Sequence, residues 1–214
     1  MQRRSFTHGG NEFSSCYHLG VKPGVDATHA AGAAAVLAVV SLSYLPVARF
    51  LHYLSFSGDV DVSRLLWFAP AAVLGAFLFE RVVRGSFYGW LRVKVPAGMA
   101  APVVAALGAI PVAGLRLWLA PRFAAPPLLA IAHAYLVAFA LGLGLAWLAL
   151  GTGATWPGGA ALSAIWLVKG TVPVAFHGRP VPVLELVAAS LGAVAVALVL
   201  KKPLAPHRDA LWDA

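Results

Sequence analysis

The chain has 214 residues, of which 60% are hydrophobic and only 11% charged, and its mean hydropathy is +0.81. A soluble domain carries about 25% charged residues, so a water-facing globular protein is excluded. The expected class is all-α: a polytopic membrane bundle of about six transmembrane helices, with membrane lipids around it. The net charge of +8 is spread over loops and tails, as membrane orientation and anionic headgroups require, with no basic patch interleaved with aromatics to receive nucleic acid. Cys16 is the single cysteine, which excludes an intrachain disulfide and any multi-cysteine metal or redox centre.

Residues 1–27 read as a polar cytoplasmic tail, residues 28–202 as one transmembrane domain and residues 203–214 as a short second tail. The first tail holds Arg3, Arg4, His8, Glu12, Cys16, His18 and Lys22. It is too long and mixed before the first apolar run for a signal peptide. The His8, Cys16 and His18 spacing fits no metal-ligand pattern, so no metal is assigned. The first span, 28–48, is rich in Ala and Val, with a break or kink expected at Pro46. Arg49, His52 and Tyr53 follow at an interface, then a solvated loop with Asp59 and Asp61. The second span, 65–84, continues as an amphipathic piece through Tyr88 and Trp90 to Arg92 and Lys94, an interfacial belt.

The third span, 97–118, contains Pro102 and Pro111 and should be kinked. Arg116 and Arg122 flank the next turn. The fourth, 126–150, carries His133 early and then Gly142 and Gly144, which permit close helix contact. After an uncharged turn at 151–157, the fifth span, 158–175, includes Ser163, Trp166 and Lys169. The sixth, 183–200, has Glu185 near its start and Lys201 and Lys202 after its end. With both termini inside, the inner segments hold ten basic residues and the outer ones six (Arg49, Arg64, Arg116, Arg122, Lys169 and Arg179). The bias favours cytoplasmic termini in a bacterial inner membrane. His29 heads the first span, but only His52 or His133 offers a second imidazole, so no haem or pigment cofactor is assigned.

The stretch 65–91 concentrates the chemistry. Glu80, Arg81 and Arg84 lie at the lower end of an apolar run, where each charge costs roughly 2.5–3.5 kcal/mol near the bilayer centre. Glu80 and Arg84 stand four apart, acid first, and should pair on one helix face.

These residues also carry a family resemblance. Phe79-Glu80-Arg81-Val82-Val83-Arg84-Gly85 is similar to the Glu-Glu-x-x-x-Arg-Gly signature of the CPBP family, the CAAX-protease and bacteriocin-processing intramembrane proteases of the glutamic type. Leu129-Ala130-Ile131-Ala132-His133 resembles the family's Phe-x-x-x-His, and residues 140–157 its glycine-rich helix and tight turn before Trp-Pro. The resemblance covers roughly residues 65–175. It implies Glu80, Arg84 and His133 as the catalytic candidates, with Ser163 and Trp166 as candidate substrate-binding residues. The departures are specific. Phe79 stands where the family's first glutamate activates water. Leu162 or Ser163 stands where its second histidine belongs, with no amide or acid four residues on. Glutamic peptide hydrolysis needs a carboxylate in reach of a water and donors for the oxyanion.

Three functions follow. The resemblance with its departures implies a catalytically weak or inactive relative that binds a transmembrane segment or partner. The alternatives are an active intramembrane endopeptidase acting on hydrophobic-anchor substrates, and an accessory subunit of a larger respiratory or photosynthetic membrane complex.

Overall fold

In the computed structural model, residues 26–56, 58, 62–92, 94–95, 97–119, 127–176 and 181–204 are described. They are almost entirely helical: α1 (Ala27–Leu42), α2 (Tyr44–Phe50), α3 (Val62–Glu80), a π-helical segment (Arg81–Phe87), α4 (Tyr88–Arg92), α5 (Ala97–Leu119), α6 (Pro127–Thr152), α7 (Trp156–Thr171) and α8 (Val181–Leu204). Two three-residue strands, β1 (Leu54–Phe56) and β2 (Val174–Phe176), pair antiparallel, with Leu54 opposite Phe176. The expectations for His8, Cys16, His18, Asp59, Asp61, Arg122 and Arg179 fall outside the described residues.

Four helical stretches are long and apolar enough to cross a membrane: Ala27–Phe50, Leu65–Phe87, Leu128–Thr152 and Val181–Leu200. The apolar part of α5, Met99–Gly114, is shorter. At 16 residues α7 is also short, about 24 Å at the helical rise per residue. Among the described helices the length and composition of a full span are thus met four times, against the six expected.

Local chemistry explains the departures from the expected boundaries. The first span is broken at Ser43, three residues before Pro46. Pro46 has no N–H to give the Leu42 carbonyl, and its ring crowds that oxygen. Ser43 closes α1 instead, its hydroxyl donating to the Val40 carbonyl at 2.7 Å. The fifth helix ends at Thr171, not at 175. Val172 precedes Pro173, which disfavours helical backbone at that residue, and it is extended at φ −78°, ψ 113°. The chain then runs into β2. In α5, by contrast, the helix continues through both Pro102 and Pro111.

At the first turn Asp26 caps α1, accepting from the Thr28 N–H at 3.1 Å and from the Thr28 hydroxyl. These two bonds hold the Asp26 carboxyl below the usual carboxylate range. A carboxyl lowered in the folded state contributes above its unfolded pKa and loses that contribution as pH falls through the folded value. Fraying of α1 at residues 27–30 is therefore expected only at strongly acidic pH. Amide hydrogen exchange followed down a pH series checks this, and Asp26→Asn should flatten the pH response.

The helices close into a ring in which α5 packs on α6, α6 on α8, α8 on α1, α1 on α7 and α7 on α3, with the π-helical segment reaching α5. The buried hydrophobic residues are mostly alanine; in one cluster Ala33, Ala34 and Leu37 of α1 meet Ala76, Leu145, Leu148, Ala161, Leu162 and Val196. Helices in lipid gain little from hydrophobic burial, and small residues let their backbones approach closely. Gly142 marks a close approach of α6 to α5, since a Cβ there would lie 3.2 Å from the Ala105 Cα.

Candidate functional site

Two buried polar clusters occupy different depths of the ring. The first is built by the junction of α3 and the π-helical segment. Glu80 ends the α-helical turns and Arg84 sits in the wider π turn, where Tyr88 N–H bonds back to the Val83 carbonyl. Glu80 is 0% and Arg84 2% exposed. Arg84 Nη1 donates to Glu80 Oε1, and Nη2 donates to the Gly142 carbonyl on α6 at 3.3 Å. Gly142 has a free lone pair to offer because a helical carbonyl oxygen can accept twice.

The rest of this site is apolar or close-packed. Phe79 stacks its ring 5.9 Å from the Arg84 guanidinium carbon and tilts against Trp166 at 6.4 Å. Glu80 Oε2 lies against the first turn of α7: a Cβ on Gly158 would come within 2.5 Å of it. Oε2 and Arg84 Nε have no hydrogen-bonding partner among the described residues. The turn before α7 satisfies itself, with Thr152 Oγ1 donating to the Leu148 carbonyl at 2.7 Å and accepting from Ala154 N–H. Non-helical backbone within a membrane protein requires such internal pairing.

The second cluster joins three helices near the opposite end of the ring. Lys169 of α7 forms an ion pair with Glu185 of α8, and its ammonium lies 5.5 Å from the Tyr44 ring centroid. His133 Nε2 of α6 is 2.9 Å from the Pro182 carbonyl oxygen and 3.4 Å from Glu185 Oε2. A carbonyl only accepts, so this nitrogen carries the hydrogen in the 2.9 Å contact.

The structure thus brings Glu80 and Arg84 together and places His133 elsewhere. His133 precedes Gly142, the Arg84 contact, by nine residues on one helix, about 13 Å along its axis. The Ser163 hydroxyl donates to the Gly159 carbonyl of its own helix at 2.6 Å, and Trp166 packs on Phe79 and beside Gly75. Ser163 and Lys169 do not form a dyad, because Lys169 turns to Glu185. Sequence reasoning noted Glu185 and Lys169 but did not join them. The available signal was two opposite charges facing each other across one short connection, Lys169 in the last turn of α7 and Glu185 in the second turn of α8. Among the described residues no three His, Cys, Asp or Glu side chains gather as a metal site. No family model, curated protein or solved structure matches the chain.

Proposed function

We propose that this chain is a divergent CPBP-like integral membrane protein of six spans that holds a transmembrane partner and turns over peptide bonds weakly or not at all. In this reading both termini lie on the cytoplasmic side of a bacterial inner membrane, and α5 and α7 complete the six spans. One observation carries it: Glu80 is engaged by Arg84, while His133 is held at another depth by Pro182 and Glu185. A water-activating carboxylate and an oxyanion donor must act on the same carbonyl, and these two groups do not converge.

The partner is assigned to the outer face of α3. Only 17% of the Leu65–Phe87 window is buried, against 39% in each of the other three candidate spans. Trp67, Leu74, Leu78 and Val82 are exposed at spacings of seven and four, which align them on one helix face.

A peptidase remains the second reading, favoured by Glu80 Oε2, which faces the first turn of α7 and has no hydrogen-bonding partner among the described residues. The discriminating experiment uses the full chain in liposomes with a hydrophobic-anchor peptide. The expected result is no cleavage above the Glu80→Ala control, together with ultraviolet crosslinking of the peptide to a photoreactive residue at position 74 but not at position 191 on α8. Cleavage abolished by Glu80→Ala and His133→Ala would reinstate the peptidase.

A further inference from the structure

The end of the ring where α3 and α8 finish is rich in cations. The second candidate span ends at Phe87 and the last at Leu200. Arg81 opens the π-helical segment that Phe87 closes. Arg92 closes α4, Lys94 follows it, and Lys201 and Lys202 lie in the last turns of α8. Among the described residues the one exposed acid at this end is Asp26, which caps α1. Arg81 and Lys94 are exposed, and neither has a carboxylate partner among the described residues.

Helix α4 sets Lys94 beside an aromatic platform. Tyr88 and Leu91 are buried against Ala100 and Val104, which fixes the helix on α5 and turns Trp90 outward, 54% exposed. Phe87 stacks on the Trp90 ring at 5.9 Å. The Lys94 ammonium sits 4.3 Å from the Trp90 centroid. A tryptophan three residues beyond the end of an apolar span belongs at headgroup depth. An ammonium over an indole face is attracted by the ring quadrupole and carries three N–H donors.

We propose that Trp90 and Lys94 form a binding site for the phosphate headgroup of an anionic phospholipid. Lys94 supplies the charge, and the Phe87–Trp90 stack fixes the depth at which the phosphate is met. The proposal goes beyond the partner-binding reading and depends only on the chain being integral to a membrane.

The test is native mass spectrometry of the full chain released from vesicles of phosphatidylcholine mixed with phosphatidylglycerol, reading the ratio of anionic to zwitterionic lipid retained. The wild type should retain phosphatidylglycerol above its share in the vesicle. Lys94→Gln should lower that enrichment about five-fold, the weight of one basic residue at an anionic surface. Trp90→Leu, which keeps every charge, should lower it less. Arg49→Gln, at the opposite end of the ring, should leave it unchanged. Equal ratios in the wild type and Lys94→Gln overturn the proposal, as does an equal loss in Arg49→Gln, which reduces the effect to net charge. Alkaline extraction of the same vesicles separates the two levels: release of the wild type sinks the membrane reading itself, and the lipid site with it.

Discussion

Arg84→Met is expected to be among the most damaging single substitutions in the chain. The guanidinium and the Glu80 carboxylate are both almost completely buried, and Arg84 joins Glu80 to the α6 backbone through Gly142. Removing the cation strands a carboxylate among Phe79, Gly158 and the first turn of α7. Breaking one side of a buried pair costs about 3–5 kcal/mol, whereas replacing both partners by apolar groups of similar volume is often neutral. The double variant Glu80→Leu with Arg84→Met should therefore be more stable than Arg84→Met alone. Unfolding of the purified protein in mixed micelles measures this. Arg81→Met is the control, since Arg81 is exposed and neighbours the same site. If Arg84→Met unfolds no earlier than Arg81→Met, the pair is not the fastening it is taken to be here.

Gly142→Val is the second large effect. A Cβ at this position meets the Cα and Cβ of Ala105 at 3.2 Å and its carbonyl oxygen at 3.4 Å. All of these belong to a helix that cannot rotate a side chain out of the way. Overpacking of this kind costs about 1–3 kcal/mol. The substitution also shifts the carbonyl that Arg84 holds, so its loss should be smaller in the Arg84→Met background than in the wild type. A double-mutant cycle in the same unfolding assay reads that coupling. Strict additivity would show that α5–α6 separation and the ion pair are independent.

The two effects mark what was legible in the sequence. Pairing of Glu80 with Arg84 followed from their spacing and from the cost of an isolated charge in an apolar run, and the pair forms. Close packing at Gly142 and Gly144 followed from residue size, and both meet neighbouring helix backbone. The break near Pro46 was legible because proline acts through its own missing N–H. The partner of His133 was not. Its contacts, Pro182 and Glu185, come from a helix some fifty residues away, and nothing in a run of apolar residues sets the rotation of one helix about its axis against another. The π turn at residues 81–87 was hidden for a related reason: nothing in Arg81 to Phe87 distinguishes a wider turn from an α turn, and Arg84 within it meets both Glu80 and Gly142. The β1–β2 pair escaped because each strand is only three residues long, too short for alternation to register.

That small ribbon has a consequence for how the chain is made. Leu54 pairs with Phe176, a partner that leaves the ribosome about 120 residues later. At typical synthesis rates of about 5–20 residues per second, the interval is on the order of ten seconds. Throughout it β1 presents unpaired backbone groups while α3, α5, α6 and α7 are still being threaded. Closing so long a loop before its ends can reward the closure is slow. The ribbon is thus a late latch in biogenesis, closed only once Phe176 has been made.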